Sequence, residues 1–367
     1  MVQDQKRASL TVLILADGMP GGGLERQIVN LLQGLSKEAP SITTVFGVLV
    51  KGGAREPEAV RWADQVLPIR QRHRFDISLA WSICRFVREY KIDVIHTFGS
   101  IADLSGVVAA KWNNIPLING SIRNAREKLT LRDRLSKIAM VWADSIVANS
   151  QAGVAAYQLA QQTKARVIYN GVDFERFETI PPYEHGHPYL LMVANFSAKK
   201  DQPAAIRALH RVRLKYPDLH LILVGKGHYE GSCRSLVQQL GLAAVVLIDN
   251  NCDDPRRYIA GAAVCLLLSP DGEGLSNVII EYLACAKPVI ATNKGGNREL
   301  IEHQSSGWLV ATHDPAEIST ALEELLSHPE QAHHYGLRGK ARVQEMCGLR
   351  RMIAAYATLY QSLVTKQ

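Results

Sequence analysis

Two glutamates, Glu273 and Glu281, bracket a stretch of the sequence that reads GEGLSNVIIE. The apolar run AVCLLLS precedes this stretch and is typical of a buried strand, whereas the residues that follow have helix-like composition. Ser276 and Asn277 are favourable residues for the start of a helix. We therefore predict a strand–turn–helix unit in which Glu273 precedes the helix and Glu281 lies about one turn inside it.

The start of this predicted helix is suited to a phosphate or diphosphate, because its first N–H groups have no intrahelical partner and the helix dipole makes that end positive. At ~1.5 Å rise per residue, Glu281 lies roughly 6 Å along the axis from Asn277. Phosphates repel carboxylates, whereas hydroxyls of sugars and riboses donate hydrogen bonds to them. The arrangement therefore indicates a nucleotide-sugar, and the alternative is a solvated pair of helix acids.

The elements that position these residues follow a regular order. Apolar, β-branched strands alternate with amphipathic helices, which predicts parallel sheets covered by helices on both faces. The pattern lapses at TIPPYEHGHP and then restarts. We predict two doubly wound domains, residues 1–180 and 189–345, a linker at 181–188, and a C-terminal helix, 346–367, that packs back toward the first domain. The GMPGGGLE and GEGLSN segments both follow strands, where ligands of such sheets bind, and the two edges can face each other across a cleft.

The composition is that of a soluble globular enzyme, with 47% hydrophobic and 21% charged residues. No run reaches the ~18 apolar residues of a membrane-spanning helix. The basic residues before LTVLILA superficially resemble a signal peptide, but no small-x-small cleavage site follows, so we interpret LTVLILA as a first strand. The six cysteines form no C-x-x-C pair, which argues against a structural zinc site and favours a reducing compartment.

Nearly all of the net charge of +7 lies in residues 1–180, which hold 23 Lys and Arg against 17 Asp and Glu. Basic clusters occur at 70–75 and 122–137, and no nucleic-acid recognition module accompanies them, so we do not predict a nucleic-acid partner. The segment 129–144 alternates basic and apolar residues at roughly helical spacing, which favours contact with an anionic membrane surface. A phosphate-bearing acceptor, a solvated basic face, or packing of the apolar residues against the sheet are the alternatives.

The segment EGLSNVIIEYLACAKPVIATNKGGNRELI resembles the signature of the family 4 retaining glycosyltransferases, and Glu273 and Glu281 match the spacing of its Glu-x7-Glu motif. The similarity continues, in the expected order, through GGGLERQIVNLLQGL, DVIHTFGS, IVANSQAG, VIYNGVDFERF and LLMVANFSAKKDQ. It thus covers nearly the whole chain. The resemblance implies a GT-B architecture, which is two Rossmann-like domains facing a cleft, with the donor bound mainly by the second.

The resemblance also implies roles for single residues. Glu273 would contact the transferred sugar, and Glu281 would accept hydrogen bonds from the ribose hydroxyls. The glycine loop that contains Gly22 and Gly23 would approach the donor phosphates closely, since glycine has no side chain in the way. The backbone amides that would meet the diphosphate are those of Gly274, Leu275, Ser276 and Asn277.

The basic pair that binds the diphosphate in this family is incomplete here. Lys200 matches the family's lysine, whereas Asn195 stands at the position of the expected arginine. Lys199 and Arg298 are candidates to replace the missing charge. Together with the N–H groups of the helix, Lys200 would stabilise the departing nucleotide in place of a metal ion.

A second departure concerns a histidine that many relatives carry after the strand matching PLING. The corresponding segment reads NGSIRN, in which Arg123 is the nearest polar candidate. His96, at the end of another strand, is a further candidate for a catalytic role, although a single histidine is more often structural.

The resemblance implies transfer with retention of the anomeric configuration, with the leaving diphosphate helping to deprotonate the acceptor hydroxyl. The sequence contains no D-x-D metal motif, and we expect no metal site and no cofactor besides a nucleotide-sugar substrate, UDP- or GDP-linked. We expect a cytoplasmic enzyme, peripheral on the inner face of the membrane, that extends a lipid-linked glycan of a cell-surface polysaccharide. The alternatives are a catalytically inactive partner subunit and a sugar-nucleotide epimerase; GMPGGGLERQ does not fit the G-x-G-x-x-G of a dehydrogenase.

Overall fold

The predicted strands form two parallel sheets in the computed structural model, which describes residues 10–71, 76 and 78–365. Contacts divide the chain into a first unit, made of Met1–Val172 and Cys347–Gln367, and a second unit, Asp173–Met346. Each unit is a doubly wound α/β domain with helices between consecutive strands. The prediction of two Rossmann-like parallel-sheet domains is confirmed.

In the first unit, strands follow the apolar runs of the sequence and helices follow the amphipathic segments. In the described part of this unit the strands are β1 Leu10–Gly18, β2 Ile42–Val50, β3 Gln65–Val66, β4 Val94–Phe98, β5 Leu117–Ile122, β6 Ser145–Ala148 and β7 Ala165–Val167. The helices are α1 Gly23–Glu38, α2 Glu56–Trp62, α3 Ser78–Glu89, α4 Ser100–Asn113, α5 Leu131–Met140, α6 Gln151–Ala156 and, from the C-terminus, α14 Leu349–Val364.

The first sheet has the order β3-β2-β1-β4-β5-β6-β7, and all its pairings are parallel. The strand LTVLILA forms most of β1, as predicted, and its centre is fully buried. One face of the sheet packs on α3, α4 and α5, and the other packs on α1 and α14. On that second face a Cβ added to Gly34 would lie 2.4 Å from Ile353, so only glycine lets α14 approach α1 this closely.

The second unit repeats the same plan with a shorter sheet. In this unit the strands are β8 Tyr189–Val193, β9 His220–Val224, β10 Val246–Asp249, β11 Val264–Leu267, β12 Val289–Thr292 and β13 Trp308–Val310. The helices are α7 Gln202–Val212, α8 Glu230–Gln239, α9 Arg256–Gly261, α10 Asn277–Ala284, α11 Asn297–Leu300, α12 Pro315–Ser327 and α13 Pro329–Cys347. A 3₁₀ turn, Phe174–Phe177, precedes them.

The second sheet has the order β10-β9-β8-β11-β12-β13. The strand order therefore reverses between β8 and β11, as it does between β1 and β4 in the first sheet. At such a point the loops after two neighbouring strands run in opposite directions. A crevice therefore opens at the carboxyl edge of the sheet, and ligands of doubly wound sheets bind there. The glutamate-bearing segment follows β11 and the lysine-bearing segment follows β8, so the topology brings these two loops side by side.

The division by contacts falls at Val172 and Met346, whereas the sequence analysis placed the boundaries at 180 and 345. Residues 181–188, the predicted linker, form neither helix nor strand. Within this segment Tyr183 donates its backbone N–H to the carbonyl of Arg257 at 2.9 Å and packs on Tyr258, which ties the segment to the second unit. The predicted domain ranges stay a prediction.

Candidate active site

The helix α10 starts where the sequence predicted, with Ser276 as the extended N-cap residue and Asn277 as the first helical residue. The side chain of Ser276 makes no capping hydrogen bond, unlike that of Asp201, which caps α7. Gly274, Leu275 and Ser276 are buried in the turn before α10. The diphosphate contacts predicted for these backbone amides stay a prediction.

Glu273 and Lys200, which are far apart in the sequence, form an ion pair through Oε1 and Nζ. Ser269 donates its hydroxyl to the same Oε1 at 2.5 Å. The side chains of Lys200 and Glu273 remain 25% and 23% exposed, so a ligand can reach both groups. The reversal of strand order explains the pairing, because Lys200 follows β8 and Glu273 follows its neighbour β11.

A third loop holds the backbone of Glu273. Gly296 donates its N–H to the carbonyl of Glu273 at 3.0 Å. A Cβ on Gly295 would lie 2.2 Å from that carbonyl, and Gly295 has a φ of 54°, so a side chain here would displace Glu273. The sequence analysis did not assign this role to the loop, although the pair of glycines in NKGGNREL was a visible signal.

Glu281 lies one turn inside α10 and is buried, and its predicted contact with the ribose stays a prediction. Its carboxylate lies near the Arg256 guanidinium, whose pKa is raised mainly by a hydrogen bond to Asp254 and further by the charge of Glu281. The next residue, Tyr282, anchors α10, because its hydroxyl accepts the N–H of Val193 at 2.7 Å. Arg256 is a neighbour of the site that the sequence analysis missed.

The loop after β8 contains Asn195, at the position where the family has an arginine. Asn195 is exposed, and its backbone carbonyl accepts a hydrogen bond from Gln202 Nε2 at 3.0 Å. Of the two candidates for the missing charge, Lys199 is exposed, whereas Arg298 donates to Asn293 Oδ1 at 2.6 Å and to the Asn293 carbonyl at 2.9 Å. Lys199 is therefore the less constrained of the two cations.

The glycine loop of the first unit lies at the carboxyl end of β1. Gly21 has a φ of 115°, and Gly22 is the N-cap residue of α1, which begins at Gly23. A Cβ on Gly22 would lie 2.7 Å from Glu25 Oε2, so a larger residue here would displace the carboxylate of Glu25. The approach of Gly22 and Gly23 to donor phosphates stays a prediction.

His96 is fully buried in β4. Its Nδ1 lies 2.8 Å from the hydroxyl of Tyr360, and its ring packs on Phe98 and Tyr356. Burial, and then the charge of Arg123, holds its pKa well below the usual range. This environment is that of a neutral core histidine between β4 and α14, and it gives no support to the predicted catalytic role.

Arg123 is half-buried after β5 and has three partners. It donates to the carbonyl of Gly120 at 2.8 Å, to Tyr356 Oη at 3.2 Å and to Asn170 Oδ1 at 3.4 Å, and it lies over the ring of Phe98. These bonds join the end of β5 to α14. The predicted catalytic role of Arg123 is not tested by this arrangement and stays a prediction.

A pair of carboxylates at the β1–β4 reversal was missed by the sequence analysis. Asp17 accepts the N–H of Ala102 at 2.7 Å, and Asp103 accepts hydroxyl hydrogen bonds from Thr97 at 2.6 Å and Ser121 at 2.9 Å. Asp103 is fully buried, and burial raises its pKa to about 6. The position of Asp17 directly before GMPGGG was a signal, but nothing in the sequence pairs it with Asp103.

Two family models match this chain. One, described as "Glycosyl transferases group 1", covers residues 173–342, and the other, described as "Glycosyltransferase Family 4", covers residues 21–176. They meet at the boundary between the two units, so each unit has its own match.

Curated relatives and a solved structure extend this similarity. The chain is 30% identical over 211 residues to the putative glycosyltransferase EpsD of Bacillus subtilis, which is 54% of this chain and 55% of EpsD. It is 29% identical over 187 residues to the GDP-mannose-dependent alpha-(1-6)-phosphatidylinositol monomannoside mannosyltransferase of Mycolicibacterium smegmatis, 46% of this chain and 49% of that protein. The chain thus spans about half the length of these curated relatives.

Anabaena Alr3699/HepE in complex with UDP superposes with a TM-score of 0.86 at 21% identity, covering 96% of this chain and 100% of that one. This likeness, together with the two parallel sheets, confirms the predicted GT-B fold.

Proposed function

Since the chain belongs to glycosyltransferase family 4, we propose that it transfers a sugar from a nucleotide-sugar donor to a hydroxyl acceptor. The observation that carries the proposal is the meeting of Lys200 and Glu273 beside the start of α10, at the carboxyl edge of the second sheet. This edge offers one carboxylate for sugar hydroxyls and one ammonium for a diphosphate, which are the two chemistries that a nucleotide-sugar requires.

In this proposal the donor lies across the loops after β8 and β11. Glu273 accepts hydrogen bonds from hydroxyls of the transferred sugar, while Lys200 exchanges its contact with Glu273 for one with a donor phosphate oxygen. The amides of Gly274–Asn277 face the diphosphate, and Glu281 accepts hydrogen bonds from the ribose. UDP and GDP are the proposed nucleotides, because the Anabaena protein of the same fold was solved with UDP and the Mycolicibacterium relative is GDP-mannose-dependent.

We propose that the reaction retains the anomeric configuration and needs no metal ion. The bond between the anomeric carbon and the diphosphate oxygen breaks, and the acceptor oxygen bonds to that carbon on the same face. The acceptor proton passes to the leaving phosphate oxygen, so no protein nucleophile takes part. Lys200 and the N–H groups at the start of α10 stabilise the negative charge on the departing diphosphate.

The proposed acceptor is a lipid-linked glycan that contributes to a cell-surface polysaccharide. The phosphatidylinositol mannoside named for the Mycolicibacterium relative is such a lipid-bearing acceptor. The described part of the chain contains no helix with the length and apolar character needed to cross a membrane. Because such an acceptor lies in a membrane, we also propose that the enzyme is cytoplasmic and peripheral on the inner face of that membrane.

The experiment that tests this function has two steps. First, UDP-, GDP- and ADP-sugars are screened for thermal stabilisation of the purified chain, since a bound ligand raises apparent stability by RT ln(1 + [L]/Kd). Second, the stabilising donor is incubated with membrane extracts, and the anomeric configuration of the product is read by NMR. An α-linked product from an α-linked donor is expected. Donor binding without turnover would identify an inactive partner subunit, and donor conversion without an acceptor would identify an epimerase.

A further inference from the structure

The segment 129–144, for which the sequence analysis considered membrane contact and packing against the sheet, has both buried and exposed apolar residues in the structure. Ala139 and Met140 are buried, Leu129 is half-buried against the core of the first unit, and Leu135 is half-buried. The other large apolar side chains of the segment, Leu131, Ile138, Val141 and Trp142, are exposed. Packing against the sheet therefore explains only part of its apolar character.

Five of the exposed residues of α5 and of the turn after it form a single stripe. Leu131, Arg134, Ile138, Val141 and Trp142 are all exposed, and they recur at the three- and four-residue spacing of one helical face. Trp142 is 47% exposed. α5 thus presents large apolar groups and a cation to the solvent on the same side.

The neighbouring helix α4 presents a second stripe of the same kind. Its exposed positions are Leu104, Val108, Lys111 and Trp112, spaced four, three and one residues apart along the helix. Trp112 is 58% exposed. Four exposed residues in which only one is polar are unusual for the solvent side of a helix, where polar residues normally predominate.

The helix α3 presents a third exposed stripe, which contacts the stripe of α4. Trp81 is 55% exposed and meets Trp112 edge to face, with ring centroids 5.1 Å apart. Arg85 and Arg88 follow Trp81 on the same side of α3, and Arg88 donates to Asn113 Oδ1 at 3.0 Å. The exposed stripes of α3 and α4 therefore form one continuous surface.

The helices α4 and α5 pack against each other, so their exposed sides are neighbours. The Lys164 ammonium donates to the carbonyls of Met140 and Val141, both at 2.9 Å. These bonds satisfy carbonyl groups at the end of α5. We call the exposed side of these three helices the α3–α5 face.

We propose that the α3–α5 face is a membrane-binding surface, and that its occupant is an anionic lipid bilayer entered by the indole rings of Trp81, Trp112 and Trp142. Tryptophan has an apolar body and a polar N–H, which suits the boundary between headgroups and acyl chains. This inference rests on the proposed function, because a lipid-linked acceptor is the substrate that such a surface serves.

Charge on the face selects a bilayer over a protein partner of mixed charge. The exposed cations of the three helices are Arg85, Arg88, Lys111, Arg132 and Arg134, whereas the exposed acids among the described residues of these helices and of the turn after α5 are Glu89 and Asp144. Cations that surround apolar side chains match anionic headgroups that surround acyl chains. The sequence analysis assigned membrane contact to 129–144 alone, whereas the structure extends the surface to α3 and α4 and makes tryptophan its main anchor.

The test measures co-sedimentation of the full chain with vesicles of phosphatidylcholine alone or with about one third phosphatidylglycerol. We expect binding that requires phosphatidylglycerol and weakens with salt. The double variant Trp81→Ser/Trp112→Ser should lower the partition coefficient by about tenfold or more, and Trp142→Ser should lower it by a smaller factor. The matched control is Leu214→Ser, which removes a 92% exposed apolar side chain from the second unit and should leave binding unchanged.

A charge variant, Arg132→Gln/Arg134→Gln, should weaken binding at low salt and lose part of the salt dependence. Wild-type binding in the tryptophan variants, or equal binding to neutral vesicles, would overturn the proposal. Light scattering provides a further check. If the wild type is a dimer and the tryptophan double variant is a monomer, a second copy of the chain covers the face instead of a membrane.

Transfer to a short soluble acceptor separates this inference from the proposed function. The tryptophan variants should retain that transfer while losing vesicle binding. A wild-type chain that binds anionic vesicles but transfers no sugar would defeat the proposed function and leave the membrane surface standing.

Discussion

The two units share one α/β plan but carry opposite charge. The first unit, residues 1–172 and 347–367, holds 25 Lys and Arg against 14 Asp and Glu, a balance of +11. The second unit, residues 173–346, holds 17 against 21, a balance of −4. The basic character of the chain therefore belongs wholly to the first unit, which is the one expected to meet an anionic partner.

Exposed apolar groups follow the same division. Of the large hydrophobic side chains that are exposed in the described residues, eleven lie in the first unit and three in the second. Eight of the eleven lie on α3, α4, or α5 with its following turn. A fold of this kind has no structural need for such residues, so their concentration on one unit indicates a surface with a function of its own.

The polar edges of the two sheets differ in another way. At the β1–β4 reversal Asp103 is sealed from solvent by Thr97 and Ser121, whereas at the β8–β11 reversal Glu273 and Lys200 stay accessible. The same topological position thus holds a buried carboxylate in one unit and an accessible ion pair in the other. Four experiments test this contrast.

The largest effect is expected from Glu273→Gln in the second unit. Loss of the charged acceptor for sugar hydroxyls should lower kcat/KM by roughly 10²-fold or more, mainly through kcat. Steady-state kinetics with the identified donor measure it. Glu323→Gln, which removes an exposed partner of Lys215, is the matched control and should behave as wild type. Equal activity of Glu273→Gln and wild type would remove Glu273 from the site.

Asp103→Asn tests whether the first unit's carboxylate is structural. Burial raises the pKa of Asp103 from 3.8 to about 6. Between these two pH values the carboxyl group therefore keeps its proton in the folded protein and loses it in the unfolded chain. Its contribution to stability is complete below about pH 4 and is lost as pH rises through about 6. The free energy of unfolding of Asp103→Asn relative to wild type should therefore rise by about 2–3 kcal/mol between these limits.

Denaturant titrations of both proteins at several pH values measure this difference. Groups common to both proteins cancel in the comparison, so a difference that does not change with pH would mean that Asp103 is ionised normally in the folded protein.

Glu281→Gln should have a smaller effect than Glu273→Gln, and one of a different kind. Ribose contacts exist before and during the reaction, so their loss should raise KM by about tenfold while kcat changes little. Because Glu281 is buried near Arg256, a thermal unfolding measurement must accompany the kinetics. A fall in kcat with unchanged KM would place Glu281 at the reacting sugar instead of the ribose.

The smallest effect is expected from metal removal. If Lys200 and the start of α10 neutralise the departing diphosphate, EDTA should leave the rate of transfer unchanged within error. Complete loss of activity, restored by magnesium or manganese, would show that these groups do not suffice.

Much of this molecule follows from its sequence. Apolar runs such as LTVLILA and AVCLLLS set the strands, because a strand covered on both faces must be apolar throughout. The start of α10 falls at Ser276 and Asn277, the two residues that the sequence offered for it. The sequence also identified Glu273 and Glu281 as candidate site residues, because their spacing within one segment predicts how far apart they lie on the turn and the helix. These features depend on neighbours in the chain, which the sequence displays directly.

Only the tertiary structure decided which distant residues meet. The pairing of Lys200 with Glu273 depends on the sheet order β8-β11, and the pairing of Asp103 with Ser121 depends on packing around β4 and β5. His96 was a candidate in the sequence because histidine often acts in catalysis, but its burial against Tyr360 is a property of where α14 packs. Likewise, whether an apolar residue of α5 faces the core or the solvent is set by the rotation of the helix on the sheet, which the sequence alone does not fix.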